Sequence, residues 1–266
     1  EALKRAATDE ADGYSHSFDM LGEAARTTAD ADRYFESYMA AIEAIGAAAN
    51  GRGVYDAPGI SVKLSALFPR YEFAPAGAAV PALTKRLLSL SQACRHHDIG
   101  LTVDAEEADR LDTSLDIISS VYGDSSLEGW SGFGVAVQAY LKRGVPVVDW
   151  LTDMAQRVGR PLGVRLVKGA YWDSEIKWAQ EDGLSGYPVF TRKSSTDVSY
   201  LACAARLVAR RDVIYPMFAT HNAHTVAAVL HMAGDTQGYE FQRLHGMGEP
   251  LYHQLVGADA DSRVAH

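Results

Sequence analysis

Seven stretches of this 266-residue chain are rich in Val, Ile and Leu, and most end in a side chain that apolar strands rarely carry. SVKLSAL presents Lys63, and TVDAEEADRL presents Asp104, followed by Glu106 and Glu107. VAVQAY carries Gln138. VRLVKGAYW carries Arg165, then Lys168, Gly169, Tyr171 and Trp172. FATHN ends in Thr220, His221 and Asn222, and YEFQRLH carries Gln242 and His245. Taken singly, each has an ordinary explanation. Lys63 could pair with a neighbouring carboxylate, and Arg165 could be a structural arginine. Asp104 and the glutamates after it could form the acidic first turn of a helix. His221 and His224 have the i, i+3 spacing of a metal pair, but no third ligand is evident and a cap or surface role fits as well.

Together these explanations weaken. An unpaired buried charge costs several kcal/mol, so charged groups at the ends of most strands point to one convergent polar site. Lys63, Arg165 and Lys168 make it cationic within a chain of net charge −9. That suits a carboxylate, a phosphate or a flavin ring that gains negative charge on reduction. Gly169 and Ala170 let the backbone approach a flat ring closely, and Tyr171 and Trp172 could stack on it. Thr191-Arg192-Lys193-Ser194-Ser195 offers hydroxyls and cations for a pyrophosphate. Neither a nucleophile with an adjacent base nor a metal triad is evident, which fits chemistry carried by an organic cofactor.

Such a site needs strands that end on one side. The pattern predicts strands over Tyr14–Leu21, Ile60–Leu67, Leu101–Ala105, Phe133–Tyr140, Leu162–Val167, Val213–Thr220 and Tyr239–Leu244, with amphipathic helices between them. Thr27 and Asp30 give a helix start and Gly46 a stop; Val148, Leu151, Met154 and Val158 mark a helix closed by Gly159; Val198, Leu201, Ala205 and Val208 mark another. Strict alternation indicates a parallel sheet, and this many units in about 250 residues favours an α/β barrel. No G-x-G-x-x-G or G-x-x-x-x-G-K-[ST] supports an open nucleotide-binding sheet. The count stops at seven: the tail after Tyr252 carries no recognisable strand or helix, so the eighth βα unit of a (βα)8 TIM-like barrel is expected to be missing from residues 1–266, otherwise a single catalytic domain. The acidic balance argues against nucleic acid. No apolar run is long enough to span a membrane, and EALKRAATDEADG lacks a signal region. Glu1 in place of Met reads as part of something longer. Cys94 and Cys203 read as buried thiols of a reducing cytosol.

Eight segments, SFDMLGEAA, SVKLSAL, TVDAEEADRL, VAVQAYLKR, VRLVKGAYWDSEIK, TRKSSTDVSYLACA, FATHNAHT and YEFQRLHGMGEPLY, resemble the proline dehydrogenase domain of bacterial proline utilization A. The match runs from about Tyr14 to Tyr252. The resemblance implies a distorted (βα)8 barrel with non-covalent FAD, oxidation of L-proline to Δ1-pyrroline-5-carboxylate by hydride transfer to the flavin, and a quinone as electron acceptor. It implies a bacterial cytoplasmic protein whose parent is peripheral at the inner membrane and carries a second catalytic domain. By motif position, Lys63 holds the proline carboxylate with Asp104 beside it, and Ala170, Tyr171 and Leu244 wall the ring. Glu23 matches a gate glutamate. Asp104, Gln138, Arg165, Val167, Lys168, Gly169, Ala170, Trp172, Thr191, Arg192, Lys193, Thr220, His221, Asn222, Gln242 and Leu244 contact FAD, with Arg165 favouring the reduced ring. Lys63, Asp104 and Arg165 carry the catalytic roles; no metal is implied. The family's Arg-Arg pair and a tyrosine on its eighth unit do not appear here. Two other readings stay open: a barrel enzyme with Lys63 as a Schiff-base lysine of lowered pKa, and a truncated barrel that binds FAD or proline analogues without efficient turnover.

Overall fold

Strands buried on both faces need near-continuous Val, Ile and Leu, and in this computed structural model the apolar runs form short parallel strands. The structure describes residues 2–20, 22–71, 75–256 and 262–265. In chain order the first elements are α1 (Ala2–Ala11), β1 (Tyr14–Ser15), β2 (Ser17–Asp19), α2 (Thr28–Ala49), β3 (Gly59–Val62), α3 (Leu64–Leu67), α4 (Ala76–His97), β4 (Leu101–Val103), α5 (Leu111–Tyr122) and β5 (Phe133–Gln138). There follow α6 (Gly144–Val158), β6 (Leu162–Val167), α7 (Trp172–Glu181), α8 (Lys193–Ala209), β7 (Ile214–Ala219), α9 (Ala223–Ala233), β8 (Glu240–Gln242), α10 (Glu249–Val256) and β9 (Arg263–Ala265).

The chain divides into two compact units, His16–Val135 and Glu1–Ser15 with Ala136–His266. In the first, β2 pairs with β3, β3 with β4, and β4 with the start of β5, all parallel. Helices α2 and α4 cover this unit with Tyr38, Ile42, Leu83, Leu87 and Leu90, all buried. Thr27 and Asp30 form a reciprocal capping box: the Asp30 N–H donates to Thr27 Oγ1 at 3.1 Å and the Thr27 N–H to Asp30 Oδ2 at 3.0 Å. Gly46 does not stop α2, which runs on to Ala49 and ends with Asn50 in the left-handed region. Gly46 is instead a contact point. A Cβ there would lie 2.2 Å from His97 Cγ, so only glycine lets α4 pack this close.

In the second unit β6, β7, β8 and β9 pair in sequence order, and β9 pairs in turn with the N-terminal β1, all parallel. Neighbours in chain order with no switch point, and the first strand beside the last, define the winding of a (βα)8 barrel rather than a doubly wound sheet. The fold class is therefore the expected α/β barrel. Tyr200, fully buried on α8, donates to the carbonyls of Leu166 and Ala219 at 3.3 Å each, fixing that helix over β6 and β7.

Several details differ from the sequence expectation. The strand expected over Tyr14–Leu21 is two pieces broken at the buried His16, the first paired with β9 and the second with β3; Leu21 lies outside the described residues. The expected strand over Ile60–Leu67 ends at Val62, and Leu64–Leu67 is a helical turn because the Ser65 N–H is taken by Glu106 rather than by a neighbouring strand. The tail is not bare: Arg263–Ala265 forms β9, the eighth strand if the broken first strand is counted once, and α10 runs through Val256. Residues 257–261 and 266 of that tail are outside the described set. On α8 the buried face is Thr196, Ser199, Tyr200, Cys203, Ala204 and Leu207, and Val198 is exposed, because small and polar side chains carry the close contact.

Candidate functional site

In a parallel sheet, strand ends share one side, and each unit puts its unusual polar residues there. In His16–Val135, Lys63 directly follows β3, Asp104 directly follows β4, and Asp19 ends β2. Lys63 Nζ donates to both Asp19 carboxylate oxygens at 3.0 Å and to Asp104 Oδ2 at 3.3 Å. The Lys63 N–H donates to the Tyr38 hydroxyl at 3.3 Å and the Asp104 N–H to the Val62 carbonyl at 2.9 Å, so the backbones at both ends are held. Burial works against charge on Lys63, but Asp104 and Asp19 together outweigh it and raise the pKa above the ordinary lysine value. A Schiff-base lysine needs the opposite shift, which counts against that reading. Burial pushes the Tyr38 hydroxyl up to about 12, so it stays protonated beside the lysine.

Glu106 and Glu107 are not a helix's acidic first turn but a brace. Glu106 accepts from the Ser65 N–H at 3.0 Å and from Arg110 at 3.0 Å, and Arg110 also pairs with Glu107 at 3.0 Å. Ser65 in turn accepts from Ala24 and Ala25 through its hydroxyl at 3.2 Å and its carbonyl at 2.9 Å. The loop carrying Glu23 is thereby tied to the Lys63 segment, and the Glu23 side chain itself is exposed. Asp19 was not found from the sequence. Its signal was its position: the last residue of a strand, next to the sheet end where Lys63 and Asp104 directly follow their own strands.

In the other unit, Gln138 ends β5 and is buried, Arg165 lies within β6, and Gln242 ends β8 and is buried. Arg165 Nε donates to Gln242 Oε1 at 2.6 Å. Val167 and Lys168 accept through their carbonyls from Ala139 and Tyr140 at 2.8 Å each. Gly169 has φ +134°, and a Cβ there would lie 2.5 Å from the Tyr140 ring, so the position admits glycine alone. Lys168 Nζ is 2.5 Å from Asp197 Oδ1, and Lys193 Nζ is 2.8 Å from the other oxygen. These two hydrogen-bonded lysines hold the Asp197 carboxyl below the usual carboxylate range. Asp197, a second residue missed from sequence, joins the end of β6 to the start of α8. Thr191, Arg192 and Lys193 stand exposed at that helix start, and the Trp172 indole N–H donates to the Phe190 carbonyl just before them at 2.9 Å.

Ala170 and Leu244 are exposed and Tyr171 is half-buried. Thr220 is buried; its carbonyl accepts from the Tyr252 hydroxyl at 2.5 Å and its hydroxyl from the Asn222 N–H at 3.1 Å. Asn222 caps α9, accepting from the Thr225 N–H at 3.0 Å. His221 Nε2 accepts from the Leu244 N–H at 3.0 Å, so the ring is engaged in holding a loop, while His224 is exposed. His245 is exposed and lies 3.8 Å from an Asp9 carboxylate oxygen.

Burial, and then the nearby Arg243, push His221 below its ordinary pKa of 6.5. A depressed pKa means the neutral ring belongs to the folded state. Its contribution is complete above 6.5 and fades as pH falls through the lowered value. Protection of the Leu244 amide, corrected for intrinsic exchange rate, is therefore expected to drop between pH 7.5 and pH 5, and to lose that dependence in His221→Leu. Equal protection across this range in the parent protein would contradict the assignment.

Fold and site thus define a class: an α/β barrel whose strand ends carry a charged lysine between two carboxylates and an arginine locked to a glutamine. A family model described as proline dehydrogenase matches residues 2–265. The chain is 57% identical over 267 residues to the bifunctional protein PutA of Salmonella typhimurium, covering 99% of this chain and 20% of that protein. It is 53% identical over 260 residues to PutA of Rhizobium meliloti, covering 97% and 21%. Among solved structures, proline utilization A from Bdellovibrio bacteriovorus inactivated by N-propargylglycine matches with a TM-score of 0.93 at 29% identity, over 99% of this chain and 29% of that one. The chain belongs to the proline dehydrogenase family, and spans about a fifth of the length of these curated relatives. Among the described residues no helix is long and apolar enough to cross a membrane.

Proposed function

We propose that this chain is the catalytic barrel of an FAD-dependent proline dehydrogenase, oxidising L-proline to Δ1-pyrroline-5-carboxylate in bacterial proline catabolism. The observation that carries the reading is Lys63: a lysine at a strand end, kept charged by Asp19 and Asp104. A fixed cation of this kind binds a carboxylate. In the free protein Asp19 and Asp104 occupy its donors. The substrate carboxylate takes over part of that role, and Asp104 remains beside it as partner for the positively charged amine. Ala170, Tyr171 and Leu244 wall the ring and exclude water, and Glu23 serves the entrance.

The residues of the second unit fit FAD. Gly169 brings the backbone close against the Tyr140 ring, Arg165 and Gln242 are locked together, and cations and hydroxyls gather at the start of α8. Gln138, Arg165 and Gln242 would face the flavin ring. Val167, Lys168, Gly169, Trp172, Thr191, Arg192, Lys193, Thr220, His221 and Asn222 would hold the remainder. FAD, when bound, would supply the hydride acceptor, with a quinone as the electron acceptor of a longer parent peripheral at the membrane. Arg165 would favour the reduced, anionic form of the ring, and Lys63 and Asp104 would hold the carboxylate and the amine of proline.

The test is direct. FAD-loaded protein, mixed anaerobically with L-proline, should lose its visible flavin absorbance, and a dye acceptor should restore it. Flavin uptake without proline-dependent bleaching would favour the binding-only reading.

A further inference from the structure

Next to the Arg165–Gln242 contact on the sheet is a buried carboxylate. Glu240 opens β8, two residues before Gln242, and is buried. Side chains two residues apart on a strand share a face. Glu240 Oε1 accepts from Gln242 Nε2 at 2.7 Å, and its Oε2 accepts from the Tyr215 hydroxyl at 3.2 Å. Gln242 Oε1 accepts from Arg165 Nε at 2.6 Å. The register supports the chain of contacts: Arg165 lies opposite Met217 on β7, and Met217 lies opposite Glu240 on β8.

The chemistry of the middle link is decisive. A glutamine amide has a donor end and an acceptor end, and an ionised carboxylate only accepts. Glu240 therefore demands the NH2 end of Gln242, which leaves the carbonyl end for the Arg165 N–H. A flipped amide would set oxygen against carboxylate and NH2 against guanidinium. Burial raises the Glu240 pKa despite the Gln242 N–H and the Arg165 charge; its acceptor role is seen in the geometry, where Oε1 accepts from Gln242 and Oε2 from Tyr215.

We propose that Glu240 is a positioning residue for the flavin site, fixing the Gln242 amide and through it the direction of the Arg165 guanidinium. The inference rests on the flavin reading above, and its test separates the two. Glu240→Gln keeps the shape but can pair with Gln242 in either orientation, so one of the two contacts that select the amide's orientation is lost and only the Arg165 contact remains. The measurement is the effect of Arg165→Met on the two-electron reduction potential of the bound flavin, in the parent and in the Glu240→Gln background. A positioning role makes that effect at least threefold smaller, as an equilibrium constant, in the second background. Purely additive charge effects would make it equal in both, and that result overturns the proposal.

Gln242→Leu breaks the same relay one link along and should reproduce the loss, which guards against misfolding of a single variant. The flavin-free protein gives a second readout. The Arg165 Nε–H signal in a nitrogen-correlated spectrum, identified by its disappearance in Arg165→Lys, should be slow to exchange in the parent and fast in Glu240→Gln. Unchanged exchange also overturns the proposal. A protein that takes up no flavin fails the functional reading instead, and this exchange measurement still decides the role of Glu240.

Discussion

Replacing Lys63 by Met is expected to lower kcat/KM for L-proline by about 10²–10³-fold, through KM and kcat together. The side chain supplies the charge for the substrate carboxylate, and removing one partner of a buried charged pair costs roughly 2–5 kcal/mol. The variant also leaves Asp19 and Asp104 facing each other without the cation that now lies 3.0 and 3.3 Å from them. These two negative charges would also repel the substrate carboxylate, so the loss should exceed that of a neutral replacement elsewhere in the site. Steady-state kinetics with a dye acceptor, resolved into kcat and KM, check the expectation. A variant with parental kcat/KM would remove Lys63 from the substrate site.

Replacing Arg165 by Met should make the bound flavin harder to reduce. A unit charge close to a developing charge in a protein environment is worth ~2–4 kcal/mol. At ~30 mV per 1.4 kcal/mol for two electrons, the potential should fall by at least ~40 mV. The substitution keeps an unbranched apolar chain of similar length but gives up the donation to Gln242 Oε1. Spectroelectrochemical titration of the two proteins measures the difference, and equal potentials would place Arg165 outside the field of the ring.

Both predictions concern residues that stood out in the sequence for the same reason: a full charge inside an apolar run. Lys63 and Arg165 announce themselves because burying them without partners is costly. Their partners are harder to see. Asp19 lies in SFDML, whose mixed pattern hides its place as the last residue of a strand. Glu240 stands between Tyr239 and Phe241 and reads as the body of a strand. Asp197, one turn into α8, looks like a surface helical acid until Lys168 and Lys193 meet on it.

The fold shows the same division. The strands of β5 and β6 are long, apolar runs and were readable almost to the residue, with β6 spanning Leu162–Val167 as expected. The ones that escaped are short and depend on partners. β9 is three residues, Arg263–Ala265, held by pairing to β8 and β1. The break at His16 is likewise set by two separate pairings, which no local pattern records. Gly46 carries the residue type of a helix stop, yet it serves a close helix–helix contact with His97.

One titration reaches the centre of the account. FAD added to the purified flavin-free chain, followed by quenching of flavin fluorescence, should saturate at one equivalent and yield a yellow protein that keeps its flavin through gel filtration until it is denatured. Fluorescence that stays that of free FAD, with colourless protein recovered from the column, would contradict it.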